Sequence, residues 1–189
     1  MNNYIFLIVG PSGSGKTTVV NRLQKELGLK VIESYTTRPP RYDGEKGHVF
    51  VSDKEFDKLE NLVGFTKYDG FRYAATAEQV EENDIYVIDP AGVKYFKENY
   101  HGCKEVRVVG IWANEAYRVL RMAERGDDAN DILRRLDVDR ATFCEDICDV
   151  VIYNRELDET CWTLSGYIMQ RKCINIHNSV WDLGWWRKK

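Results

Sequence analysis

Apolar positions along the chain follow two alternating rhythms. Tyr4-Ile5-Phe6-Leu7-Ile8-Val9 is an unbroken run of strand length, the form a strand takes when both of its faces are covered. Val19, Val20, Leu23 and Leu27 then recur at helical spacing, which predicts a helix over about 15–27 with Gly28 as its stop. A short strand is predicted at 31–33, followed by a polar stretch, 34–41, that reads as neither helix nor strand. Short strands are expected at 48–51 and within 62–74, around a helix that Ser52 or Asp53 caps. Thr76 to Asn83 reads as helix, and Ile85-Tyr86-Val87-Ile88 as a buried strand ending at Asp89-Pro90. Residues 106–112 repeat that buried pattern. Helices over 115–125 and 129–144 are separated by Gly126-Asp127-Asp128, and a strand at 149–153 leads into a closing helix over 156–171. Strands alternating with helices predict an α/β fold with a mainly parallel sheet.

Composition narrows the class. The 189 residues are 43% hydrophobic and 30% charged, which suits one globular domain. A formal charge of −3 argues against a general nucleic-acid binder and confines any anion site to a local patch. No run approaches the roughly 18 apolar residues that span a bilayer, and no membrane association is expected. The N-terminus lacks the basic region of a signal peptide. Cys103, Cys144, Cys148, Cys161 and Cys173 are odd in number and form no CxxC pair. Reduced thiols and a cytoplasmic location are therefore the expectation. Oligomeric state is not encoded in these patterns. Trp181, Trp185 and Trp186 are expected to dock on the core, with a frayed end at Arg187-Lys188-Lys189.

The first chemistry follows the first strand. Gly10-Pro11-Ser12-Gly13-Ser14-Gly15-Lys16-Thr17 is the glycine loop and helix start of a phosphate-binding P-loop. Glycines let backbone N–H groups turn toward phosphate oxygens, and the helix start adds its positive dipole end. Gly10, Ser12, Gly13, Ser14, Gly15, Lys16, Thr17 and Thr18 are the candidate ATP-binding residues. Lys16 supplies a cation for the β- and γ-phosphates, and the Thr17 hydroxyl is placed to ligate Mg²⁺.

A second anion station is suggested by Arg38 and Arg41, three apart on a proline-stiffened loop. Taken alone they read as solvated surface arginines. Beside a P-loop they are what a kinase for a phosphorylated acceptor needs, since guanidinium forks match phosphate oxygens.

The segment Ser34-Tyr35-Thr36-Thr37-Arg38-Pro39-Pro40-Arg41, followed by Gly44-Glu45, Gly47 and Phe50-Val51-Ser52, resembles the acceptor-site signature of guanylate kinases. Tyr68-Asp69-Gly70-Phe71-Arg72-Tyr73 resembles their aromatic loop. Val87-Ile88-Asp89-Pro90-Ala91-Gly92-Val93 resembles the strand end with its base-reading aspartate, and Asp149-Val150-Val151-Ile152-Tyr153-Asn154 the last strand. The resemblance implies a three-layer P-loop fold with an inserted acceptor lobe and a short lid. In a single domain, the core would be 1–33, 83–119 and 139–173, the lobe 34–82, the lid 120–138 and the tail 174–189. The implied activity is transfer from ATP, with Mg²⁺, to a nucleoside monophosphate, GMP or dGMP. Arg38, Arg41 and Tyr73 would hold the acceptor phosphate, Glu45 would organise their loop, and Ser34 and Asp89 would touch the base. Arg121, Arg125 and Arg135 match the lid arginines and Asn154 joins the ATP site.

Several positions depart from the family's pattern. Gly64 stands where a glutamate usually pairs with guanine, and Ala75 where a serine or threonine does, with Thr66 and Thr76 as nearby hydroxyls. His48 sits near a usual tyrosine, and Tyr42 or Asp43 is an extra residue. The departures leave open a kinase for another or modified monophosphate, or a non-catalytic module of the same shape. Asp89 also suits capping a helix that begins at Pro90, or holding Mg²⁺ through water. Arg121 and Arg125, four apart, also suit a solvated face paired with Glu124 and Asp128, and Arg134 competes with Arg135 for the third lid position. His48, His101 and His177 are assigned no chemistry.

Overall fold

The structure is a computed structural model and describes residues 4–40, 42–68 and 70–173. Arg41, His177 and the tryptophan-rich tail singled out above lie outside the described residues. The chain opens with β1 (Tyr4–Val9), α1 (Lys16–Leu27), β2 (Ser34–Thr36), β3 (His48–Phe50), α2 (Asp53–Phe56), β4 (Thr66–Tyr68), β5 (Phe71–Ala74) and α3 (Ala77–Glu82). It continues through β6 (Ile85–Val87), α4 (Pro90–Asn99), β7 (Glu105–Trp112), α5 (Glu115–Glu124), α6 (Ala129–Thr142), a 3₁₀ turn (Glu145–Ile147), β8 (Val150–Tyr153) and α7 (Leu157–Cys173).

A parallel sheet runs β6-β1-β7-β8 and forms the middle layer. The side chains of β1 explain its unbroken apolar run. Ile5, Leu7 and Val9 enter one core with Val93 and Phe96 of α4. Phe6 and Ile8 enter the other, with Val19, Val20 and Leu23 of α1 and Leu164 and Ile168 of α7. Both faces are thereby buried, as the sequence pattern requires. A second, mixed sheet, β3-β2-β5-β4, carries the residues of the expected acceptor lobe. It is anchored below by Val63, Ala75 and Val80, which belong to the first core. The facing helices α5 and α6 share a small core of their own, Met122, Ile132 and Leu136.

Two expectations need correction. The strand placed at 31–33 is a single bridge, Val31 to Ile85, and the strand lies instead in the polar stretch, at Ser34–Thr36. There, alternation is carried by hydroxyls: Ser34 and Thr36 are buried and Tyr35 is half-buried, so a hydrophobicity pattern misses it. The helix expected to reach 144 stops at Thr142, and Cys144 and Cys148 flank the 3₁₀ turn. Ser52 caps α2 with a full capping box, and Gly28 closes α1 in the left-handed conformation. Among the described residues no helix is long and apolar enough to cross a membrane, and Cys103, Cys144, Cys148 and Cys161 are free thiols.

Ile8 is fully buried and Leu133 is 61% exposed. Ile8→Ala is expected to destabilise by about 2–5 kcal/mol in a denaturant titration, and Leu133→Ala by less than about 0.5 kcal/mol.

Candidate functional site

The site lies where the strands of the parallel sheet end. Between β1 and α1 the phosphate loop turns so that the carbonyls of Ser12, Gly13 and Ser14 meet donors from α5 and from the end of β8. Asn154 Nδ2 donates to the Ser14 carbonyl (2.8 Å), and Arg121 reaches the carbonyls of Gly13 (3.4 Å) and Ser14 (3.3 Å). Arg118 Nε donates to the Ser12 carbonyl (2.7 Å). Gly15 sits at φ 94°, and a Cβ there would lie 2.3 Å from Asn154 Nδ2, so only glycine fits. The first N–H groups of α1, like those of any helix start, have no helical carbonyl to pair with and are free for an anion.

Lys16 donates its ammonium to the carbonyls of Gly10 (2.6 Å) and Pro11 (3.0 Å). Burial pulls its pKa down to about 8. Asp139 acts to raise it, while Arg118 and Arg125 lower it further. Thr17 and Thr18 are exposed at the helix start.

Across the cleft, β2 and β3 pair in parallel with Ser34 beside His48, and the two side chains share a hydrogen bond of 2.9 Å. Tyr73 of β5 stands edge-on to the His48 ring, with centroids 5.7 Å apart. Arg38 is buried and forked onto Glu45 at 2.9 and 3.1 Å, with its guanidinium 5.3 Å from the centre of the Phe50 ring. Burial works against its charge, and the bonds and attraction from Glu45, with Tyr73 adding to them, keep it firmly ionised. Asp89 spends one carboxylate oxygen on the Gly92 N–H (2.7 Å), capping α4. The capping alternative is thus realised while Asp89 still lines the cleft.

These two sides share one cavity of about 430 Å³. Gly10, Ser12 and Lys16 line it from the loop, Ser34, Arg38, His48 and Tyr73 from the second sheet, and Arg135 and Asp139 from α6. Arg38 Nε and Arg135 Nε are buried and have no partner among the described residues; the same is true of Ser14 Oγ in the phosphate loop. Orphaned buried donors carry a desolvation penalty that an anionic ligand relieves.

The three lid candidates separate. Arg135 lines the cavity and holds Asp127 at 3.3 Å. Arg121 lies against the phosphate loop's backbone, with its other end on the Asn154 carbonyl (3.3 Å). Arg125 is largely exposed and paired with Asp127. Arg134 pairs with Asp131 at the surface. Arg121 and Arg125 stay one helical turn apart, the Arg125 N–H donating to the Arg121 carbonyl (3.3 Å), and Arg125, the C-cap of α5, turns its guanidinium to Asp127.

Sequence reasoning gave His48 no chemistry and passed over Arg118 and Asp139. Only the strand register brings His48 to Ser34, and Arg118 looks like one more polar helix position until its burial is known. Gly64 has a packing reason: a Cβ there would lie 2.5 Å from Tyr86 Cε1, and the Tyr86 hydroxyl donates to the Gly64 carbonyl (3.1 Å). Ala75 is fully buried, and Thr76 uses its hydroxyl to cap α3. Of the two threonines, Thr66 lines the cavity. Among the described residues no cluster of three or more His, Cys, Asp or Glu is arranged to hold a metal. A hydroxyl and a carboxylate oxygen are the hard donors magnesium takes; Thr17 offers the first at the exposed start of α1, and Asp89 lines the cavity with a carboxylate of which one oxygen caps α4.

Comparison with known proteins agrees with this geometry. The guanylate kinase family model matches residues 2–171. A guanylate kinase of Nitrosomonas europaea is 28% identical over 190 residues, covering 93% of this chain and 94% of the relative. One from Neisseria meningitidis serogroup A is 36% identical over 171 residues, covering 81% and 80%. The crystal structure of guanylate kinase from Anaplasma phagocytophilum superposes with a TM-score of 0.61 at 21% identity, over 90% of this chain and 87% of that one.

The depressed Lys16 pKa has a direct consequence for anion binding. A phosphate binds the ammonium form, so association takes up protons once the solution approaches pH 8. Calorimetric titration should show the Kd for ATP rising above that pH, by up to about tenfold per pH unit. A flat profile between pH 7 and about pH 9 would contradict the assignment of Lys16 as the phosphate-binding cation.

Proposed function

The chain belongs to the guanylate kinase family, and we propose that it moves the γ-phosphoryl group of ATP onto the phosphate of GMP or dGMP, giving GDP or dGDP. One observation carries the reading. Buried, unpartnered guanidinium donors of Arg38 and Arg135 border the same cavity as Lys16. A cavity with cationic walls on two sides suits two phosphate groups meeting end to end.

The chemistry needs no general base, because the attacking oxygen already belongs to a phosphate anion. That oxygen forms the new bond to the γ-phosphorus. The bond to the β–γ bridging oxygen breaks, and ADP leaves with the electron pair. The protein's share is positioning and charge stabilisation. Gly10, Ser12, Gly13, Ser14, Gly15, Thr17 and Thr18 cradle the donor phosphates, with Asn154 holding the loop's outer side. Lys16 leaves its two backbone carbonyls for the β- and γ-oxygens. Arg38, Arg41 and Tyr73 hold the acceptor phosphate, with Glu45 fixing the fork of Arg38. Ser34 and Asp89 face the base. Arg135 covers the transferring group, and Arg121 and Arg125 join it as the lid, 120–138, closes over the core. Magnesium bound with ATP screens the β- and γ-phosphate charge, and Thr17 is the residue that would hold it. The lobe, 34–82, and the lid move against a core of 1–33, 83–119 and 139–173. Soluble nucleotides as substrates fit a cytoplasmic site of action.

A coupled ADP-release assay over a panel of nucleoside monophosphates tests this. Turnover with GMP and dGMP is expected. Lys16→Ala should abolish it with little change in Tm. Arg38→Ala should lower kcat/KM for GMP by roughly 10- to 100-fold, the worth of a hydrogen-bonded charge, with the ATP Kd nearly unchanged. Turnover confined to another monophosphate would overturn the guanine assignment alone. Silence across the panel with ATP still bound would overturn the kinase reading.

A further inference from the structure

A buried ion pair joins the two arm helices directly over the phosphate loop. Arg118 of α5 and Asp139 of α6 are 6% and 5% exposed, and their side chains are paired to each other. Both also grip one residue of the loop. Asp139 accepts the Ser12 N–H at 2.9 Å and the Ser12 hydroxyl at 3.4 Å. Arg118 Nε donates to the Ser12 carbonyl at 2.7 Å. The next residue closes the contact: Gly13 has φ 72°, and a Cβ there would lie 2.6 Å from the Arg118 carbonyl oxygen. Loop backbone and helix backbone therefore touch, with no room for a side chain between them.

Stability alone does not call for this arrangement. A buried ion pair repays its desolvation poorly, and a well-packed apolar pair of similar volume generally holds a fold as well or better. An apolar pair cannot take the N–H and the C=O of the same loop residue. Nor is a carboxylate an obvious choice for a cavity that receives phosphates, unless its charge is already matched. Arg118 supplies that match, and leaves Asp139 as an oriented acceptor.

We propose that Arg118 and Asp139 are a positioning pair that sets the backbone of Ser12, and with it the donor half of the phosphate loop, against the arm. Neither needs to touch the reacting atoms. The pair fixes the direction of the Ser12 peptide groups and couples the loop to both α5 and α6. Arm and donor phosphates therefore adopt their working arrangement together. This goes beyond the kinase reading and rests on it for the catalytic readout, though not for the binding one.

The test compares Asp139→Ala, Asp139→Asn and the double variant Arg118→Met/Asp139→Ala, measuring Tm, calorimetric Kd for ATP with Mg²⁺, and kcat and KM with GMP. Asp139→Ala should lower Tm, because it leaves a buried guanidinium unmatched. The double variant should recover a Tm near wild type, yet bind ATP about tenfold more weakly and lose at least tenfold in kcat, with the KM for GMP within about twofold. Asp139→Asn, whose amide oxygen still accepts from Ser12, should keep kcat within about threefold. A double variant that recovers Tm, Kd and kcat together would overturn the proposal and leave the pair merely structural. Should the double variant not fold, equal losses of ATP affinity in the Asn and Ala variants would overturn it instead. A wild-type protein inactive on every monophosphate would defeat the kinase reading, while the ATP Kd values would still decide for or against the pair.

Discussion

The structure depends on the tethering of three consecutive carbonyls in the phosphate loop, those of Ser12, Gly13 and Ser14. A loop can present its N–H groups to phosphate only if its carbonyls find donors on the other side. Here those donors come from far along the chain. Asn154 holds Ser14, Arg121 holds Gly13 and Ser14, and Arg118 holds Ser12. Each sits on an element that follows a strand of the parallel sheet, so the sheet places the donors and the donors orient the loop. Glycine at position 15 is the other half of the arrangement, since Asn154 approaches to where a Cβ would be.

The acceptor side solves a different electrostatic problem. An arginine meant to meet an anion must be kept charged while out of water. Arg38 achieves this through the fork to Glu45 and the face of Phe50. The carboxylate takes two of its donors and leaves Nε unpartnered among the described residues. The buried charge is therefore both matched and incompletely satisfied, which favours a second anion. Arg38 thus borders the same cavity as Lys16 of the phosphate loop.

What the sequence revealed followed the range of the interactions. The phosphate loop was legible because its chemistry is local: strand, glycines, lysine and helix start fall within fourteen residues, 4–17. The helix caps at Ser52 and Asp89 were legible for the same reason, each being a contact three residues long. Ser34–Thr36 was misread because its buried alternation is made of hydroxyls. Arg118 and Asp139 stayed hidden because their meaning lies in contacts with Ser12, 106 and 127 positions away. By local pattern Arg118 is one polar residue among many on α5. The lid arginines mix the two cases: the spacing of four between Arg121 and Arg125 is a local relation, and the helical bond between them is present, whereas the pairing of Arg125 with Asp127 across the turn left no sequence signal.

The packing of Tyr86 over Gly64 reaches beyond this one molecule. A strand residue of the sheet occupies the volume that any side chain at position 64 would need, and its hydroxyl is satisfied by that glycine's own carbonyl. Positions 64 and 86 are consequently a single heritable unit. Neither a lineage nor an engineer can lengthen one without shortening the other first. The route from this floor of the cleft to a differently furnished one passes through an intermediate with a hole in it.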